Sequence, residues 1–182
     1  IRDVERSVGS EMCIRDSSRS YPNVLKPILQ VIDTQEGVNR VATTNLMITN
    51  RGPLFISDTS ININPNAKEL AKIAQMTSHT AALFGIQPKV AMLSYSNFGS
   101  SKNEDAQKVS KAVKLIHRFL PDIAVDGPIQ ADFALNKTML TNKFPFSKIA
   151  GAAVNTLVLP DLNAANICLY THLRAHETSL HL

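Results

Sequence analysis

From Leu54 onward the chain alternates short apolar, β-branched runs with amphipathic helical stretches, and this order constrains the fold more than any other feature. Strands are expected at Leu54–Thr59, Lys89–Ser96, Ile123–Val125 and Thr156–Leu159. The first two are separated by a helix that opens at Asn64-Pro65-Asn66. There Asn66 can cap and Glu69 sits three residues on, as in a capping box. Leu70, Ile73, Ala74, Thr77, Ala81 and Phe84 share one face of that helix, and Gly85 stops it. A second helix is expected over Glu104–Leu120, with Ala106, Val109, Val113, Ile116 and Leu120 on one side and Pro121 ending it. Strands joined by helices of this length run parallel, because only a long crossover returns the chain to the same end of the sheet.

The segment before Leu54 reads differently. Arg40–Thr49 is an alternating strand, and Asn50-Arg51-Gly52-Pro53 is a turn, so the two strands it joins form an antiparallel hairpin. A helix is expected from Pro22 or Asn23 to about Ile32, with its stop near Gly37, and another opens at Leu162. The expected fold is α/β, with a mixed, mostly parallel sheet and helices on both faces. A chain of 182 residues with 44% apolar residues makes one domain, or one lobe of something larger. No apolar run approaches the roughly 18 residues of a membrane span. With a net charge of +4, scattered lysines and 5% aromatics, nucleic-acid binding has little support, whereas anionic small molecules suit the surface.

The two ends do not share the pattern of the middle. Residues 1–17, IRDVERSVGSEMCIRDS, lack a period, and residues 168–182, CLYTHLRAHETSLHL, interrupt the first turns of a helix. Both are similar to translated sequencing-adapter read-through, so the domain is expected over 18–167 with adapter-derived residues at 1–17 and 168–182. Cys13, Cys168, His172, His176 and His181 then fall outside the domain, and neither a cysteine-based metal site nor a histidine-rich one is assigned. The charged start lacks the apolar core of a signal peptide, and a cytoplasmic protein is expected.

Chemistry is concentrated where apolar runs end in polar turns. Ser94–Ser101, SYSNFGSS, ends a strand and leads into a helix. Its amides, the hydroxyls of Ser94, Ser96, Ser100 and Ser101, and the close approach allowed by Gly99 suit an anion such as phosphate. The alternative is an ordinary loop and helix cap. In VDGPIQADFALN, residues 125–136, Asp126, Gln130 and Asp132 either meet a polar ligand or hold neighbouring chain, and Asp132 is placed to cap a helix begun at Phe133. Asp161, Asn163 and Asn166 stand in the same relation to the strand before them. Asp58, Asn62 and Asn64 form a turn cluster that is either structural or part of a site. His79 and His117 each stand alone and read as solvated or core histidines. No phosphate-binding GxxxxGK[ST], dinucleotide GxGxxG or GxSxG motif occurs.

At FISDTSININPNAKELAKIA, KVAMLSYSNFGSS, PDIAVDGPIQADFALN and LVLPDLNAANI the chain resembles the phosphate acetyl/butyryl transferase family, over about 21–167. The SNFGSS spelling and YPNVLKPIL are more similar to the transferase-like C-terminal domain of bacterial NADP-dependent malic enzymes. The resemblance implies a truncated isocitrate/isopropylmalate dehydrogenase-like fold and a homo-oligomer. It implies acetyl-CoA or CoA, phosphate and acyl phosphate as ligands, with no cofactor held by this segment and no nucleic-acid or membrane partner. It assigns the cleft wall to Ser94, Ser96, Gly99, Ser100, Ser101, Asp126, Gln130, Asp132, Asp161, Asn163 and Asn166. Ala165 stands where the family often has glycine. The family's catalytic Ser-Arg pair and Asp lie downstream of the last motif, where the likeness is expected to stop at Ile167, so no catalytic residue and no metal ligand is assigned.

The favoured expectation is therefore a regulatory and oligomerisation domain of a malic enzyme, an oxidoreductase whose NADP and divalent metal would sit in upstream domains. The alternative is a piece of a catalytic phosphate acetyltransferase, which moves acetyl between acetyl phosphate and CoA.

Overall fold

The computed structural model describes residues 27–31 and 40–178, with side chains through Thr171. The chain divides into two units, Ile1–Val41 and Ala42–Leu182, and each is described by itself. In the first, 27–31 is helical, within the span expected for the first helix. The rest of that expected helix, and residues 1–17, lie outside the described residues.

The second unit holds a five-stranded sheet: β1 (Thr44–Thr49), β2 (Gly52–Ser57), β3 (Lys89–Leu93), β4 (Ala124–Ile129) and β5 (Thr156–Val158). Its order is β1-β2-β5-β3-β4. β1 and β2 form the antiparallel hairpin, closed by Thr49 opposite Gly52. The remaining pairs, β2 with β5, β5 with β3 and β3 with β4, are parallel. The long helices are α1 (Ala67–Leu83), α2 (Glu104–Phe119) and α5 (Leu162–Thr178), and α3 (Ala131–Leu135) and α4 (Lys137–Lys143) are short.

Period-two alternation separates the two cores. Val90, Met92, Val125 and Val158 point to one face, where they pack with Leu70, Ile73 and Ala74 of α1 and Val109, Val113 and Ile116 of α2. Ala91, Leu93, Ile129 and Leu157 point to the other, against Ala134, Leu140 and Ala165 from α3, α4 and α5. Asn66 caps α1 as expected: its side chain accepts from the Lys68 and Glu69 amides, and the Glu69 carboxylate accepts from the Asn66 N–H at 2.8 Å.

Two expectations require correction. The strand expected at Ile123–Val125 does not stop at Val125, because β4 runs on through Asp126, Gly127 and Pro128 to Ile129. A proline is tolerated there because β4 is an edge strand. The register steps from Ala91–Asp126 to Leu93–Ile129, so β4 carries one residue more than β3, a bulge centred on Gly127 and Pro128. The helix at Leu162 is likewise not cut short at Ile167. It continues unbroken to Thr178, and Ala165, Cys168 and Leu169, at i, i+3 and i+4, all face the core. Burial pushes the Cys168 thiol above its ordinary pKa, as expected for a side chain that packs rather than reacts.

Candidate functional site

The polar motifs meet where β3 and β4 end. Backbone bonds continue the pairing past both strands: the Ser94 N–H donates to the Ile129 carbonyl (3.0 Å) and the Phe98 N–H to the Pro128 carbonyl (2.7 Å). Side chains then lock the loops. The Asn97 amide donates to Gln130 Oε1 (2.7 Å), its Oδ1 accepts from the Gln130 N–H (2.8 Å), and Gln130 Nε2 donates to the Tyr95 carbonyl (2.8 Å). Three bonds on one glutamine make it the joint between SYSNFGSS and VDGPIQADFALN. Phe98, at φ +42°, is held in the left-handed region by its amide bond and by ring contacts with Phe144 and Phe146 at 4.8 and 5.1 Å.

Within the loop the Asn97 N–H donates to Ser100 Oγ (3.1 Å), and Tyr95 Oη lies 3.0 Å from Ser101 Oγ. The Ser96 N–H faces Ser94 Oγ at 3.4 Å. Ser96 is 5% exposed, and its hydroxyl has no partner among the described residues. An unmet buried hydroxyl costs on the order of 1–3 kcal/mol, so it is a place where a ligand atom would be welcome. Gly99 is exposed at φ +85°, and an added Cβ there would meet nothing within 4 Å, so it serves the turn rather than a close approach within the chain. The N-terminus of α2 is already occupied. Asn103 Oδ1 accepts from the Asp105 N–H, and Glu104 and Asp105 fill the first turn. An anion at this loop would therefore meet loop amides and serine hydroxyls more than a free helix end.

The other residues of the cleft wall divide by what they already do. Asp126 is buried and accepts from Ser147 Oγ (2.8 Å), the Lys148 N–H (2.8 Å) and the Gly127 N–H (2.9 Å). It ties the end of β4 to the turn after α4. Asp132 is exposed in the first turn of α3, which begins at Ala131 rather than Phe133, so it does not cap that helix. Asp161 Oδ1 accepts from the Ala164 N–H (2.8 Å) and caps α5. Asn166 Nδ2 donates back to the Leu162 carbonyl (3.0 Å), while Asn163 is exposed.

The Asp58 cluster is structural. Burial pushes the carboxyl pKa up, but bonds from the Thr43 and Asn62 side chains and amides outweigh it and hold the group below its ordinary value. The Ser60 and Ile61 amides also point at Asp58 Oδ1. Asn64 instead accepts from Lys108 Nζ at 2.8 Å. His79 is exposed, and His117 Nε2 pairs with the Val125 carbonyl at 2.8 Å.

Sequence reasoning passed over Asn97, Tyr95 and Ser147. Asn97 and Tyr95 lay inside a quoted motif but carried no signal of their own. Ser147 meets Asp126 from 21 residues away. Among the described residues no group of three or more histidine, cysteine or acidic side chains is placed to hold a metal ion, and no helix is long and apolar enough to cross a membrane.

The family model described as "Phosphate acetyl/butaryl transferase" matches residues 7–178. The chain belongs to this family. Phosphate acetyltransferase from Clostridium acetobutylicum is 43% identical over 152 residues, which is 80% of this chain and 45% of that protein. A phosphotransacetylase from Streptococcus pyogenes superposes with a TM-score of 0.79 at 38% identity, over 87% of this chain and 49% of that one. The NADP-dependent malic enzyme of Haemophilus influenzae is 37% identical over 161 residues, 88% of this chain and 21% of that protein. The chain spans from about a fifth to about half the length of the curated relatives it matches.

These likenesses correct four expectations. The family match crosses both Ser18 and Ile167, so the ends are not read as adapter-derived, and the buried face of α5 gives the physical reason at the second junction. The malic-enzyme assignment gives way to the transferase one. Its support was the spelling of SNFGSS and of YPNVLKPIL, whereas identity over the matched length is higher to a phosphate acetyltransferase. With it go the oxidoreductase and NADP expectations. The isocitrate/isopropylmalate dehydrogenase-like fold is replaced by that of the phosphotransacetylases on which the chain superposes. Local patterning specifies the elements and their parallel pairing, but it leaves the order of strands across the sheet open.

Proposed function

We propose that this chain supplies one wall of a phosphate acyltransferase active site, working on acetyl phosphate and CoA. The observation that carries the reading is the Ser94–Ser101 loop, braced by Gln130 and containing a buried serine hydroxyl with no partner among the described residues. In the reaction, the CoA thiolate attacks the acetyl carbonyl, the C–O bond to phosphate breaks, and inorganic phosphate leaves with the electron pair. The departing oxygens gain charge, so fixed N–H and O–H donors at that end lower the barrier. Ser94, Ser96, Ser100 and Ser101, with the loop amides, are the donors assigned to the phosphoryl end. Asp126 and Gln130 hold that loop and its neighbour in place, and Asp161 fixes the start of α5, so these three position rather than react. Gly99, Asp132, Asn163 and Asn166 are assigned to the rim of the cleft. A homo-oligomer belongs to the same reading, supported by the 67% and 62% exposure of Ile167 and Tyr170 on α5.

Titrating the chain with acetyl phosphate, and separately with CoA, while following the amide signals of Tyr95–Ser101 and Gln130 tests this. Saturable shifts at these amides are expected. Ser96→Ala should weaken acetyl phosphate binding about tenfold or more, the scale of one hydrogen bond to a charged group. Loop signals that stay still under both ligands would overturn the assignment.

A further inference from the structure

The crevice is not the only concave feature of this sheet. A cavity of about 590 Å³ lies at the opposite end, between the β1–β2 turn, the α3–α4 junction and the residues that lead into β5. It opens beside Gly52, where β2 begins, whereas the crevice lies beyond Ser57, where β2 ends. Five rises of about 3.3 Å from Gly52 to Ser57 put roughly 16 Å between these two ends of β2.

Arg51 and Lys137 bring positive charge to its lining, Asn50 adds an amide, and Leu54, Leu135 and Val154 supply apolar surface. The Arg51 guanidinium is anchored, because Nη1 donates to the Leu135 carbonyl at 3.0 Å and leaves its other N–H groups for a ligand. Among the described residues neither Arg51 nor Lys137 forms an ion pair. The volume is in the range of small-molecule sites, and an apolar floor beside unpaired cations is the usual mix of bulk and orienting charge.

We propose that this cavity is a second ligand site, for a small amphiphilic anion: a phosphate monoester or carboxylate attached to a compact apolar body. Arg51 and Lys137 bind the anionic group, and Leu54, Leu135 and Val154 cover the apolar part. The site is separate from the transferase crevice and does not depend on the function assigned there. It is nonetheless connected to it, since the single short helix α3 leads from Gln130, the residue before it at the crevice, to Leu135 at the cavity wall.

Phenyl phosphate is the probe, with inorganic phosphate and phenol as its polar and apolar halves, read by amide shifts on the whole chain. Phenyl phosphate should shift Asn50, Arg51, Lys137 and Val154 saturably, and it should bind at least about tenfold more tightly than either half. Arg51→Gln and Lys137→Gln should each weaken it about tenfold while the chain still melts cooperatively, with at most a small drop in melting temperature for Arg51→Gln, which loses its bond to the Leu135 carbonyl, and Ser96→Ala should leave it unchanged. Absence of saturable shifts, equal affinity for inorganic phosphate, or binding that survives both cation substitutions would overturn the proposal. So would shifts confined to Tyr95–Ser101. Failure of the transferase reading would instead appear as silent loop signals with acetyl phosphate and CoA, so the two results separate.

Discussion

Replacing Gly127 with alanine tests how tightly the β3–β4 bulge holds the crevice. At Gly127 φ is +146°, a region that side chains other than glycine's rarely enter, and occupying it costs about 1–3 kcal/mol. An added Cβ would also lie 2.5 Å from the Met92 carbonyl oxygen and 3.0 Å from Met92 Cβ. The first of these is backbone in a buried strand and cannot swing aside, so the overpacking adds about 1–3 kcal/mol. Alanine restricts the unfolded chain and returns about 0.4–1 kcal/mol. The net loss is about 1–6 kcal/mol, a large share of the roughly 5–15 kcal/mol that holds a domain together. Urea unfolding of both proteins, compared at equal m-values, gives the difference directly. Gly151→Ala is the control. It has φ +76° with nothing within 4 Å of the added Cβ, so it should lose only the dihedral cost less the same unfolded-chain gain, about 0–2 kcal/mol net. A Gly127→Ala loss no larger than that of Gly151→Ala would refute the steric part of the reasoning.

Asp58 sets a pH dependence. Its folded pKa is lowered from 3.8, so its contribution is fully present above that value and is lost as pH falls through the folded one. The stability of Asp58→Asn should accordingly fall less steeply than wild type between roughly pH 5 and pH 2 in acid melts. Asp126→Ala strands the Ser147 hydroxyl and two amides, and a loss of about 2–4 kcal/mol is expected by chemical denaturation. Ser147→Ala removes one donor and should cost about 1 kcal/mol. Gln130→Ala frees the loop without opening the core, so the Phe98 and Asn97 amides should exchange with solvent about tenfold faster while the midpoint of global unfolding moves little. Unchanged exchange at those amides would remove Gln130 from its role as joint.

The motifs were legible because each is local. Asn66 and Glu69 lie one turn apart, Asp161 caps its helix through the amide three residues on, and strand alternation repeats every second residue. What lay outside that range was misread. The stop placed at Val125 followed from Gly127-Pro128, which looks like a turn but becomes a bulge because β4 has a partner on one side only. The break placed at Ile167 followed from the similarity of CLYTHLRAHETS to adapter read-through, whereas Ala165, Cys168 and Leu169 line the buried side of an ordinary amphipathic helix. Asp126 drew notice as a strand-end carboxylate in a motif, yet its Oδ2 is taken up by Ser147 and the Lys148 amide, and no local pattern announces a partner that far along the chain.

The sequence by itself determined the alternation of strand and helix, the hairpin before it, and the position of polar residues at strand ends. These depend on periodicity and capping, which act within a few residues. Only the tertiary structure decided the order β1-β2-β5-β3-β4, the joining of two loops through Asn97 and Gln130, and the burial of Ser96 without a partner among the described residues. Each of these depends on which distant segments come into contact, and that is set by how two hydrophobic faces of one sheet are covered at once.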